Sequence, residues 1–166
     1  ANDGGNLILN SKNEYNEAMK DSIAAKYIRP FLMGDELINS IERWCLWMAD
    51  APMSDIMSSH FLKTRVEAVR NLRLQSTRPS TREKLSKTPQ LFGENHQPNE
   101  TYLAIPRVFS EGRLWTTCKL LSPNVIAGDK LYTCIDSDGF AFAIIESSMF
   151  MAWQKAVGGR MKSDPS

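Results

Sequence analysis

At 166 residues, 42% hydrophobic and 23% charged, the chain has the size and composition of about one globular domain, which excludes a disordered tail, a collagen-like chain and a coiled coil. No run nears the ~18 apolar residues of a membrane helix, and the opening Ala1-Asn2-Asp3-Gly4-Gly5 lacks the basic and apolar regions of a secretion signal, so a cytoplasmic protein is expected. The net charge of +1 hides an asymmetry: Lys63, Arg65, Arg70, Arg73, Arg78, Arg82, Lys84 and Lys87 face only Glu67 and Glu83 between residues 63 and 87, so that window is +6 and the rest is −5.

The elements follow in chain order. Asn6-Leu7-Ile8-Leu9 reads as a strand. Ser11-Lys12-Asn13-Glu14 reads as a capping box, with Ser11 at the N-cap and Glu14 reaching back to it. Tyr15, Ala18, Met19, Ile23 and Tyr27 follow at helical spacing until Pro30 stops the helix. Arg43 to Met48 reads as a buried strand, and Pro52 as the first position of a short helix over Met53 to Met57. A longer helix is expected from Phe61 to Gln75, with Leu62, Val66, Val69 and Leu72 as its apolar stripe and Lys63, Glu67 and Arg70 on a flank. Ser76 to Pro89 is rich in Ser, Thr and Arg and carries two prolines, which predicts a loop.

The second half changes character. Tyr102 to Phe109, Leu114 to Leu120 and Lys130 to Ile135 read as strands, and Phe140 to Ile145 is of strand length. Ser147 or Ser148 then caps a helix carrying Met149, Ala152, Trp153 and Ala156, which Gly158-Gly159 ends. Helices early and strands late predict an α+β fold. N-terminal helices would pack on a mostly antiparallel sheet from the C-terminal half, with a helix at the C-terminus.

Catalytic signatures are sparse. No phosphate-cradling glycine loop and no Gly-x-Ser-x-Gly elbow occur. His60 and His96 are far apart, and Cys45, Cys118 and Cys134 lack zinc-ligand spacing, so reduced thiols without a metal or disulfide framework are expected. Asp136-Ser137-Asp138-Gly139 begins like a calcium loop, but Ile145 stands where the closing glutamate belongs, and a hairpin turn is the better reading. Trp44 and Trp47 cannot share one face of a regular strand. Both read as core residues, with one of them free to present a surface.

Several segments together resemble one family. They are Gly5-Asn6-Leu7-Ile8-Leu9, Ala24 to Phe31, Arg43 to Trp47, Arg65 to Arg70, Thr88 to Glu94, Tyr102 to Val108, Ser147-Ser148-Met149, Ala152-Trp153 and Gly159 to Asp164. Their order is similar to the target-recognition domain of the MmeI-like family, bacterial single-chain proteins that join an adenine-N6 DNA methyltransferase to a restriction nuclease. The chain departs from that pattern at Phe150, where the family often has histidine, and at Pro165, where it often has an aromatic residue. The Asn-Pro-Pro-aromatic and Pro-Asp…Glu/Asp-x-Lys motifs that carry such catalysis do not occur in this sequence. The resemblance therefore implies a reader of double-stranded DNA over residues 1–166, one domain excised from a larger protein. It would be non-catalytic and without a cofactor of its own, while the parent's methyltransferase and nuclease domains would use S-adenosylmethionine and Mg.

The resemblance also assigns residues. Lys162 and Asp164, in Lys162-Ser163-Asp164, would read one G·C pair, the lysine donating to guanine O6 and N7 and the aspartate accepting from the cytosine amino group. Lys130, after the Gly128-Asp129 turn, and Ser166 would read a second position. The charge asymmetry itself points toward a polyanion, and in such a reader Arg78, Arg82, Lys84, Lys87 and Arg65 would follow phosphates and set register. Two other readings compete: a hydrolase using His60 or His96 with a cysteine, and a protein-interaction module whose basic face meets an acidic partner. Without the resemblance, the basic window reads as a solvated helix face and loop, and Lys162 to Asp164 as a solvated turn.

Overall fold

Strand β1 (Ile8–Leu9) leads into α1 (Lys12–Lys20) through Ser11, whose Oγ accepts the Glu14 N–H at 3.2 Å. Glu14 reaches back as a capping residue does, but to the Asn10 N–H, at 2.6 Å, rather than to that of Ser11. The helix stops at Lys20, before the predicted end. Asp21 is the reason: its carboxylate takes the N–H groups of Ile23 and Ala24 at 2.9 and 3.1 Å and starts a separate 3-10 turn, Ala24–Tyr27. Pro30 lies inside the next strand, β2 (Ile28–Leu32), and ends no helix.

The computed structural model describes residues 2–108 and 112–158. They form two compact units, each discontinuous in sequence: one from the residues up to Phe31 with Glu42–His96, the other from Leu32–Ile41 with the residues from Gln97 on.

In the first unit, β3 (Trp44–Leu46) pairs antiparallel with β1 and β2, setting Ile8 opposite Cys45 and Arg29 opposite Cys45 on the other side. Helices α3 (Met53–Ser58) and α4 (His60–Leu74) cover these strands, with Pro52 as the N-cap of α3, one position earlier than predicted. Leu7, Leu9, Ala18, Leu46, Met48, Ile56, Leu62, Val66 and Val69 make one apolar core. The early helices α1, α3 and α4 thus pack on strands of the first half of the chain rather than on a C-terminal sheet.

The second unit holds α2 (Gly34–Asn39), β4 (Tyr102–Pro106), β5 (Lys119–Leu121), β6 (Ile126–Ala127) and β7 (Leu131–Ile135). Its sheet runs β5-β4-β7, all antiparallel. Alternation along β4 turns Tyr102 and Ala104 to a core shared with Leu37, Leu121 and Leu131. Gln97, ahead of β4, holds the loop that leads into β6: its amide donates to the carbonyls of Pro123 and Val125 at 3.1 and 2.8 Å and accepts the Ala127 N–H at 3.1 Å. Of the predicted strand from Leu114 to Leu120, only Lys119 and Leu120 are in β5.

The α+β class stands, with strands in both halves. One predicted strand is a helix: Phe140–Ile145 is α6. Asp136 causes it. Its buried carboxylate takes the N–H groups of Ala141 and Phe142 at 3.0 and 2.9 Å, satisfying the open first turn of a helix. Gly139 makes the bend at φ 77°, so Asp136 to Gly139 joins a strand to a helix instead of closing a hairpin. Ser147 caps α7 (Ser148–Val157), accepting the Phe150 N–H at 3.1 Å. Gly158 ends α7 with φ −69°, so a left-handed turn is not the reason for glycine there. A Cβ at that position would collide with the carbonyl oxygen of Gln154.

Candidate nucleic-acid interface

The basic window is built around one arginine that never reaches solvent. On α4 the buried positions are Leu62, Val66, Val69 and Arg73, an i, i+4, i+7, i+11 row. The stripe predicted to end at Leu72 ends instead at Arg73, which is 0% exposed, while Leu72 is 42% exposed. Four backbone carbonyls receive the Arg73 guanidinium: Asn2 at 2.8 Å, Leu85 and Thr88 at 2.9 Å each, and Leu91 at 2.7 Å. Burial pulls its pKa down, and the charge of the buried Asp3 works the other way.

Those carbonyls belong to the stretch predicted as a loop. It is largely helical: Pro79 opens α5 (Pro79–Glu83), and a 3-10 turn follows at Leu85–Lys87. Thr81 and Ser86 turn inward and are buried. Arg78, Arg82, Lys84 and Lys87 remain exposed. Arg82 is partly occupied, by the Ser76 carbonyl at 3.3 Å and by Glu83 at 3.6 Å. Arg78, Lys84 and Lys87 make no ion pair among the described residues, and neither does Arg70 with Glu67.

Arg65 differs from these four. Its guanidinium donates to the carbonyls of Asn6 at 3.0 Å and Ile8 at 3.4 Å and pairs with Glu14 at 3.1 Å, so it straps β1 and α1 to α4. Three internal partners thus share the guanidinium for which a phosphate contact is predicted.

In the second unit, Lys130 is exposed in the turn before β7. Its carbonyl accepts the Arg107 N–H at 3.0 Å, so the β4–β7 ladder continues one pair beyond Pro106 and Leu131. Arg107 is also exposed, and its guanidinium stands 5.0 Å from the ring centre of Tyr132. Sequence reasoning missed Arg107 and Tyr132. Both predicted strands contained them, but only the register places Arg107 beside Lys130. Lys162, Asp164 and Ser166 lie outside the described residues.

The other candidate groups fall apart. His60 and His96 are exposed. Burial pushes the Cys45 thiol up to about 12, and burial with the nearby Glu146 carboxylate pushes Cys118 up to about 11, which keeps both as protonated, poor nucleophiles. Among the described residues no three His, Cys, Asp or Glu side chains gather as a metal site, and no helix is long and apolar enough to cross a membrane. Trp44 packs on Tyr15 at 4.5 Å and Trp47 on Phe92 at 5.8 Å, both half-buried, whereas Trp115 and Trp153 are exposed.

The chain matches the family described as "MmeI, target recognition domain" over residues 1–166. It is 33% identical over 164 residues to DNA methyltransferase A of Bacillus subtilis (strain 168), covering 98% of this chain but 18% of that protein. A solved structure of the Type IIL restriction-modification enzyme MmeI in complex with DNA superposes with a TM-score of 0.89 at 31% identity, covering 98% of this chain and 22% of that one. The chain therefore spans about a fifth of the relatives it matches, and it belongs to the MmeI target recognition domain family.

Proposed function

We propose that this chain binds double-stranded DNA and reads its sequence on behalf of a longer DNA-modifying polypeptide. The observation that carries this reading is the split among the arginines and lysines of residues 63–87. Two are consumed inside the fold, whereas Arg78, Lys84 and Lys87 are held at the surface with their charges uncompensated. A phosphate backbone is the ligand such charges fit. That the solved MmeI structure contains DNA supports the same partner.

Phosphate contacts position the protein, and base edges specify the sequence. In the second unit Lys130 supplies one exposed donor and Arg107 stands beside it. Lys162 and Asp164 make a donor–acceptor pair suited to one G·C base pair, and Ser166 cooperates with Lys130 at a second position. The parent, in this reading, is a cytoplasmic adenine-N6 DNA methyltransferase that also cuts DNA, and this chain by itself does neither. S-adenosylmethionine and Mg²⁺ belong to the methyltransferase and nuclease domains of that parent.

The decisive test is to map the methylated motif in cells that express the full-length parent carrying Lys162→Ala. Discrimination at one position should fall by about 1–3 kcal/mol, with the other positions unchanged. Exchanging Lys162 and Asp164 for Glu and Arg should turn that position toward the opposite G·C orientation. An active variant that methylates the unchanged motif overturns the base-reading assignment. Binding that depends on salt but not on base sequence, and that an acidic protein displaces, would favour the interaction-module reading.

A further inference from the structure

Most buried or strapped arginines of this chain have their N–H donors satisfied by carbonyl oxygens. Arg107 is the contrast. It is exposed, it makes no ion pair among the described residues, and its side chain meets the ring of Tyr132. Tyr132 is itself 58% exposed, which is unusual for a large aromatic residue in the middle of a strand that pairs with β4.

The register explains the meeting. Ile105 stands opposite Tyr132, and Pro106 opposite Leu131. The bond from the Arg107 N–H to the Lys130 carbonyl extends that ladder by one pair. Arg107 is therefore the diagonal neighbour of Tyr132 on the same face, within reach for a long side chain. Its guanidinium lies within cation–π distance of the ring. A guanidinium packed face-on against a ring keeps its edge N–H donors open. Such packing also removes rotamer freedom from one of the side chains that has most to lose. Opposite Arg107 stands Lys130, a second cation, and like charges across a strand pair repel unless an anion or an acceptor-rich edge comes between them.

We infer that Tyr132 is a positioning residue for DNA recognition: its exposed ring presets the Arg107 guanidinium, edge outward, beside Lys130, so that the arginine meets the duplex already ordered. This rests on the reading of the chain as a DNA reader. It assigns to Tyr132 no contact with DNA of its own.

The test is binding of the full-length parent to a duplex carrying its own methylated motif, with Arg107→Ala, Tyr132→Leu, Tyr132→Phe and the double variant Arg107→Ala/Tyr132→Leu. Leucine keeps apolar bulk on the strand and removes the π face, and phenylalanine keeps the π face and removes the hydroxyl. Arg107→Ala should weaken binding about tenfold or more. Tyr132→Leu should weaken it about three- to tenfold and Tyr132→Phe hardly at all. The double variant should bind no more weakly than Arg107→Ala alone, because a platform without its guanidinium has nothing left to hold. If Tyr132→Leu lowers the melting temperature, Tyr132→Thr, a good strand former, replaces it with the same expectation. Unchanged binding in Arg107→Ala would break the DNA reading of this edge, and the inference with it. Weakened binding in Arg107→Ala with none in Tyr132→Leu, or losses that simply add in the double variant, would overturn the positioning role and leave the DNA reading intact.

Discussion

The basic segment from Arg78 to Lys87 and the strand edge at Arg107, Lys130 and Tyr132 both present cations to solvent, but they are held there by different means. The first is anchored from within: Arg73, fully buried, grips the carbonyls of Leu85 and Thr88 and so fixes the turn that carries Lys84 and Lys87. The second is anchored from the side, by strand register and an aromatic ring. The difference matters for recognition. A segment pinned through its backbone leaves its long side chains free to follow phosphates of any sequence. A guanidinium held beside a ring loses freedom of direction, as discrimination between base edges requires.

Arg73→Met gives the largest expected effect and tests the internal anchor directly. Methionine fills much of the volume but leaves four carbonyl oxygens without their donor. Stability should fall by about 3 kcal/mol or more, read from the midpoint of urea unfolding. Affinity for every duplex should fall as well. A stable Arg73→Met variant with native DNA binding would show that the segment does not depend on its anchor.

Next comes the contrast between strap and surface. Arg65→Ala should cost about 1–3 kcal/mol of stability, because it frees the Asn6 and Ile8 carbonyls, and should leave the salt dependence of DNA binding nearly unchanged. Substituting Arg78, Lys84 and Lys87 by Ala should do the reverse. Stability should hold within about 0.5 kcal/mol, while the slope of log K against log salt becomes shallower by about one for each phosphate left without its cation. Equal salt slopes in the two sets would erase the distinction.

The smallest effect concerns acid. Burial pushes the Asp21 carboxyl up, but the Ser59 hydroxyl, at 2.6 Å, and the N–H groups of Ala24, Ile23 and Phe61 outweigh it and hold the group below its ordinary 3.8. A carboxyl depressed in the folded state adds stability above its unfolded pKa and loses it as pH falls through the lower folded value. Stability should therefore decline below about pH 4, and Ser59→Ala should flatten that decline while costing about 1 kcal/mol at neutral pH through loss of the α4 cap. An unchanged acid limb in Ser59→Ala would remove Asp21 from the account.

What could be read from the sequence, and what could not, follows the range of the forces involved. Ser11 and Ser147 announce their helices because a cap acts on N–H groups three residues away. The α4 stripe is visible up to Val69 for the same local reason. It goes wrong at Arg73 because the four carbonyls that make a buried arginine tolerable come from residues 2 and 85–91, which no helical period reveals. Phe140–Ile145 has the length and apolarity of a strand, and only the inward turn of the Asp136 carboxylate makes it a helix. Arg107 and Lys130 each lay in or beside a predicted strand, yet their pairing is a matter of register, which short strands do not encode locally. The family resemblance, by contrast, spans the whole chain, because it integrates many weak local signals at once.

The ring of carbonyls around Arg73 has a practical consequence for anyone who recombines such readers. Its members come from Asn2, Leu85, Thr88 and Leu91, while the arginine itself sits on α4. A chimera that swaps residues 76–91 alone would replace three acceptors and keep the donor, and a version trimmed past Asn2 would discard the fourth. The smallest cassette that moves the basic segment with its seat intact takes in Asn2 and runs through Leu91.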